Sequence, residues 1–308
     1  MRVLILNHTY KECGIFQFGK RVYELASRSD KIDYFYREVG NKDEYLNAVN
    51  RLNPEYIVYN YHWDRMPWLA VDDYKNNINS KHYFIWHDGS MIGYYDKYLF
   101  FGYDFIPLPK DVPSGKAELL ARPLFDYKGS YPVNLVPTIG SFGFCSDNKR
   151  FPGIVKMVCN SFNQATVNLH ITRPWFGDKH GYNLDTIVKA CMRSKTNPNV
   201  TLNITTNFLN DDKLLEFLAG NDINVFYYEG NPNSGLSAAT DYALSVKRPI
   251  AVTRASLLRH IYNKDNCLEK NSITGIMNKG LKPLARFHSE WDTNVFVNRF
   301  DNIFRKGK

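Results

Sequence analysis

Near its start the chain runs through four consecutive apolar residues, Val3 to Leu6, closed by Asn7-His8. A run this short and unbroken predicts a strand buried on both faces. A glycine-punctuated stretch follows, Gly14 to Arg28, in which Val22, Leu25 and Ala26 share one helical face. Tyr56–Tyr61, His82–Trp86 and Phe105–Leu108 repeat the apolar or aromatic run. Such runs between helical stretches predict a parallel sheet covered on both sides.

Pro107, Pro109, Pro113, Pro123, Pro132 and Pro137 then crowd one region. Proline at this density ends helices and sheets, so a domain boundary is expected near 130, giving domains 1–130 and 131–308. After it the alternation restarts. Strands are expected at Thr138–Phe144, Ala165–Ile171, Val200–Thr205, Asn224–Tyr228 and Pro249–Thr253. Helices are expected around Ile154, at Leu184–Met192, Asp211–Ala219 and Leu236–Val246. The fold class is therefore α/β, with two Rossmann-like, doubly wound parallel-sheet domains.

At 308 residues, 44% apolar and 23% charged, the chain is long enough for two cores and excludes a disordered protein. No stretch approaches the roughly 18 apolar residues of a membrane span, and the opening run is too short for a signal-peptide core. Five scattered cysteines without a Cys-x-x-Cys pair fit a reducing cytoplasm. Residues 1–132 hold 17 basic and 17 acidic side chains, leaving 22 of the 39 basic and 14 of the 31 acidic to 133–308. The whole excess of +8 thus falls in the second half, which points to an anionic ligand there. A diphosphate suffices; double-stranded DNA is the larger alternative. With no clustered His/Cys set and no Asp-x-Asp at a strand end, no metal is expected.

The richest segment is Val225-Phe-Tyr-Tyr-Glu229-Gly230, a polar loop, then Gly235-Leu236-Ser237 and a helix carrying Asp241. A helix opening at the carboxyl end of a strand offers free N–H groups and a favourable dipole to a phosphate, and Asp241 one turn on can accept from ribose hydroxyls. The same pattern also describes an ordinary helix start. In order and context it resembles the donor-binding signature of GT-B glycosyltransferases, especially the retaining family 4. The match runs through Glu229-Gly230, Gly235-Leu236, Asp241-Tyr-Ala-Leu and Arg248-Pro249-Ile250. The family's ribose-binding acid maps to Asp241. Its first acid, eight residues upstream, is Asn233 here, with Glu229 as the substitute. Ile139-Gly-Ser-Phe-Gly-Phe, leading to Lys149-Arg150, resembles the start of the same family's C-terminal domain, where a lysine neutralises the donor diphosphate. A solvated basic pair is the alternative. His170 and Arg173 end another strand and are either cleft residues or, for His170, a hydrogen-bonded structural histidine.

The resemblance implies a GT-B enzyme with an interdomain cleft, which takes a sugar from a nucleotide sugar, a co-substrate rather than a cofactor. In the first half it implies that Gly14, Ile15, Phe16 and Gln17 face the acceptor or the donor phosphate. His87 and Asp88, at the end of Ile85-Trp86-His87-Asp88, are the catalytic candidates, against an even alternative of a satisfied core pair. Tyr59-Asn-Tyr-His62-Trp63-Asp64 ends a strand in similar fashion. The Cys-Gly-Ile-x-Gln-x-Gly, Asp-Tyr-Ala-Leu-Ser-Val-x-Arg-Pro-Ile and Arg259-His260-Ile261 segments look like those of phage-encoded or surface-polysaccharide enzymes. The acceptors this implies are hydroxymethylated cytosine in phage DNA, placed first, and a surface glycan or lipid-linked sugar. A nucleotide-sugar-binding module without catalysis is the reading of another class.

Overall fold

The computed structural model describes residues 1–70, 79–87, 95–110, 112–174, 178, 180–230 and 235–306. The chain forms two compact units, Met1–Pro123 with Glu290–Lys308, and Leu124–Ser289.

Unit 1 is built on an all-parallel sheet of order β2-β1-β3-β4-β5-β6. Its strands are β1 Arg2–Asn7, β2 Asp33–Glu38, β3 Tyr56–Tyr59, β4 Lys81–Ile85, β5 Lys97–Phe101 and β6 Ala117–Leu120. The four residues of β3 and all of β1 beyond Arg2 are buried, as a strand covered on both faces requires. Helices α1 Gly14–Ala26 and α2 Lys42–Leu52 connect the first three strands. Asn41 caps α2 by accepting from the Glu44 N–H, and Glu44 reaches back to the Gly40 N–H, a reciprocal arrangement that satisfies two helix-end donors.

Unit 2 carries a second all-parallel sheet of order β11-β10-β7-β8-β9. Its strands are β7 Thr138–Phe144, β8 Ala165–Thr172, β9 Val200–Thr205, β10 Ile223–Phe226 and β11 Ile250–Val252. Helices α3 Phe151–Ser161, α4 Tyr182–Ser194, α5 Asp211–Ala219, α6 Ala239–Ser245 and α7 Ile273–Lys279 belong to it. Ile154, Val155 and Val158 of α3 pack with Val167, Leu169 and Ile171 of β8 in one core. Among the described residues no helix is long and apolar enough to cross a membrane.

Two features depart from the expected layout. Phe105–Leu108 is not a strand; β5 lies earlier, at Lys97–Phe101. Pro107 and Pro109 cannot donate to a ladder, whereas Lys-Tyr-Leu-Phe-Phe can pair on both sides. The last residues also return to unit 1, whereas the proline cluster alone divides the chain into 1–130 and 131–308. After the short helix α8 Ala285–Glu290, helix α9 Thr293–Arg305 carries Phe296, Phe300 and Phe304 at four-residue spacing. That stripe meets Phe101, Tyr34 and Tyr83 in ring contacts of 6.1, 5.6 and 5.4 Å. Asp301 accepts from Tyr34 and Ser29, and Asp104 accepts from Trp291 and Arg299.

Candidate functional site

In an open parallel sheet, ligands collect at the carboxyl ends of the strands where the strand order reverses. In unit 2 that point lies between β7 and β10, since the chain runs outward through β8 and β9 and then resumes on the other side of β7. The loops after β7 and β10 are joined there by the Glu229 N–H, which donates to the Asn148 carbonyl at 2.7 Å. Arg150, left-handed at φ 49°, caps α3 and pairs with Glu229 at 2.7 Å. Lys149 lies between the rings of Phe144 and Tyr228, its Nζ 5.7 and 5.5 Å from their centroids. A Cβ on Gly143, whose φ is +152°, would fall 2.4 Å from that Nζ, so glycine is what lets the ammonium settle against the strand. Burial lowers the Lys149 pKa to about 8. No acidic partner of Lys149 occurs among the described residues. The fold thus brings Lys149, Arg150 and Glu229 together, with the amino end of an eleven-residue helix behind them.

The segment from Gly235 differs from expectation. Helix α6 begins only at Ala239 and is seven residues long. Gly235 to Ser237 are held outside it: Ser237 N–H donates to Leu257 O, and Arg259 donates to the carbonyls of Gly235 and Ser256. The helix therefore does not open on Gly235-Leu236-Ser237, and the Ser237 N–H is already engaged. Asp241 is 0% exposed, so its carboxylate offers no surface to a ribose in this conformation. Thr240 fixes the turn, donating to Ser237 O and meeting His260 Nε2 at 3.0 Å. In the sequence Arg259 and His260 stand out only as part of the Arg-His-Ile segment, not as partners of the Gly235 turn. Their role depends on a contact some twenty residues away, which local patterning does not carry.

His170 is buried at the end of β8, its Nδ1 2.8 Å from Thr205 Oγ1 and its pKa lowered to about 4 by burial. That is the hydrogen-bonded structural alternative. Arg173, the residue after β8, is partly buried beside Gly181.

In unit 1 the order reverses between β1 and β3, and a polar cluster fills that edge. Asn7 Nδ2 donates to Phe16 O and Tyr36 OH, while its Oδ1 accepts from the His8 N–H and Asn60 Nδ2. Asn60 Nδ2 also donates to Ile15 O. Backbone groups with fixed roles thus orient both amides, leaving Asn60 Oδ1 as the acceptor for His87 Nε2 at 2.7 Å. His87 therefore carries its proton on Nε2 and keeps the Nδ1 lone pair. Burial first, then the charges of Arg122, His62 and His8, lower its pKa to about 3. Asp88 lies outside the described residues. Gly14 is exposed, Ile15 and Phe16 serve the amide cluster through their carbonyls, and Gln17 closes the loop by donating to Lys11 O.

No protein-family profile matches the chain, and no curated protein matches it. Solved structures do. HepE of Anabaena, in complex with UDP and glucose, aligns over 99% of this chain and 100% of its own at 11% identity and TM-score 0.68. A glycosyltransferase from Rickettsia africae aligns over 99% and 98% at 11% identity and TM-score 0.70. The lipopolysaccharide outer core galactosyltransferase WaaB, in apo form, aligns over 99% and 100% at 10% identity and TM-score 0.64. At such identities the likeness is one of fold, and that fold, two all-parallel Rossmann-like units, is the GT-B fold of glycosyltransferases.

Proposed function

We propose that this protein is a glycosyltransferase that draws its sugar from a nucleoside diphosphate sugar held at the β7/β10 edge of unit 2. The observation that carries this reading is Lys149. It is a cation without an acidic partner among the described residues, set between two aromatic rings at a strand-order reversal. A desolvated ammonium is stabilised by an anion, and a diphosphate supplies one beside Arg150 and the positive end of α3. The charge map supports the same side: unit 2 holds 19 basic and 12 acidic residues, unit 1 holds 20 and 19. The solved relatives with UDP bound support it too. In this proposal Lys149 and Arg150 meet the donor's charge, and transfer should survive EDTA.

His87, neutral and with Nδ1 unprotonated, is the group we assign to the reacting sugar or the acceptor hydroxyl. The acceptor read first from the sequence, hydroxymethylated cytosine in phage DNA, rests on the basic excess. That excess belongs almost wholly to unit 2, which leaves a surface glycan or lipid-linked sugar as the competing acceptor. The test is a thermal-shift screen of UDP-, GDP- and ADP-sugars. A ligand that binds only the native state stabilises it by about 2.7 kcal/mol at a hundredfold excess over Kd. Stabilisation of the wild type by one nucleotide class, lost in Lys149→Ala, supports the assignment. Stabilisation by none removes it. Binding without transfer or donor hydrolysis would favour the non-catalytic module.

A further inference from the structure

The loops after β1 and β3 hold two large aromatic side chains in solvent. Tyr10 is 49% exposed and Trp63 59% exposed, at the one edge of unit 1 where its topology gathers a ligand. Both are braced. The Arg65 guanidinium lies 4.3 Å over the Tyr10 ring, with its Nε 3.4 Å from the Asp64 carboxylate. The His62 ring runs nearly parallel to Trp63, 27° apart with centroids at 6.2 Å. His62 Nδ1 accepts from the Asp64 N–H, and the His62 carbonyl accepts from the N–H groups of Arg65 and Met66. On the other loop His8 Nδ1 accepts from the Tyr10 N–H at 3.1 Å. The rings are thus held in place before any ligand arrives, which lowers the entropy lost on binding.

A second observation lies beneath them. His8 is wholly buried, 5.7 Å edge-on to His62. Because its Nδ1 accepts, its proton is on Nε2, and that N–H has no hydrogen-bond partner among the described residues. A buried donor left unmet is uncommon in native proteins; at 0% exposed, His8 packs beneath the two loops and offers no surface to a ligand in this conformation.

We propose that Tyr10 and Trp63 are a stacking platform for a pyranose ring, with Asp64, Arg65 and His62 reading its hydroxyls, so that the acceptor is a glycan rather than DNA. This rests on the transferase reading, since only a transferase has an acceptor. The apolar face of a sugar covers an aromatic ring while its rim takes hydrogen bonds from planar polar groups. The two loops carry Lys11 and Arg65 against Glu12 and Asp64. A duplex-binding face needs uncompensated cations along the phosphates, and this edge has none in excess. Two rings are also far short of the roughly 800 Å² per partner that a stable protein interface buries.

The experiment uses the full chain on a printed glycan array with a UDP, GDP and ADP mixture. A parallel arm titrates hydroxymethylcytosine duplex at 50 and 200 mM salt. The wild type should retain glycans; Trp63→Ala and Tyr10→Ala should each lower retention about tenfold, and Trp63→Phe should keep most of it. All variants should melt near the wild type and keep its nucleotide-induced thermal shift. The proposal is overturned if the wild type holds no glycan, if both alanine variants hold glycans as well as the wild type, or if the duplex binds with steep salt dependence. Failure of the donor reading shows separately, as loss of any nucleotide shift in the wild type while glycan retention still reports on the platform.

Discussion

Gly19 and Asn60 are in contact so close that a Cβ on the glycine would fall 2.3 Å from Asn60 Nδ2. Asn60 is the amide that ties Asn7, the Ile15 carbonyl and His87 together. Asn60→Leu should leave those groups unmet at about 1–3 kcal/mol each, and Gly19→Ala should act on the same amide by displacing it. Melting curves check this. The double variant should be less destabilised than the two single effects added together, because neighbours sharing one network are not additive. Full additivity would separate the two residues.

Acid should unfold this protein early. His87, His8 and His170 have pKa values lowered to about 3, 4 and 4, all with burial as the leading cause. Between those values and the unfolded value near 6.5, the unfolded chain binds more protons, so stability rises with pH across that window. The stability present at neutral pH is therefore lost as pH falls below 6.5 toward 4. A Tm that stays level from pH 7 to 4.5 would contradict the neutral state of these rings, two of them buried and His87 part-buried.

Lys149→Ala should weaken nucleoside diphosphate binding by about 1.5–3 kcal/mol, the range for hydrogen bonds to charged groups, with little change in Tm without ligand. Gly143→Ala should also weaken binding by occupying the ammonium's place, but with a lowered Tm, because a φ of +152° strains any L side chain. With the pKa of Lys149 lowered to about 8, affinity should fall as pH rises through 8, and binding near that pH should take up a proton. Calorimetry in buffers of different ionisation enthalpy measures the uptake. Equal observed heats in all the buffers, meaning no proton taken up, would mean that Lys149 does not meet the phosphates.

Asp241→Asn tests the expected ribose contact against the burial of the side chain. A carboxylate enclosed at the start of α6 should act first on stability, so the variant should melt several degrees lower. An unchanged Tm together with a raised donor KM would return Asp241 to the ribose.

The central strands were legible because they are buried on both faces. Val3–Leu6 has no polar residue to confuse the pattern, and the structure extends it by one residue at each end; the run expected at Tyr56–Tyr61 ends as a strand at Tyr59, before Asn60. The edge strands were not. In β2, Asp-Tyr-Phe-Tyr-Arg-Glu, only Tyr34 is buried, and such a sequence reads equally well as a surface loop. At the candidate site, Lys149 and Glu229 were found from short motifs, and their meeting follows from the strand order. The late start of α6 was not legible, because it depends on the Ser237 N–H donating to Leu257 O and the Gly235 carbonyl accepting from Arg259. Tyr10 and Trp63 are ordinary letters in a chain with 21 tyrosines and 20 phenylalanines; only exposure separates them from core.

The return of α9 to unit 1 sets an order for synthesis. Phe296, Phe300 and Phe304 cover Tyr34, Tyr56, Tyr83 and Phe101, yet they are translated after the whole of unit 2. On the ribosome unit 2 has all of its sequence before unit 1 does, and domains tend to fold as units as they emerge. The strands of unit 1 must therefore wait with an aromatic face uncovered until residues 293–305 are made. Loss of that helix would leave an intact second unit beside a first one prone to aggregate.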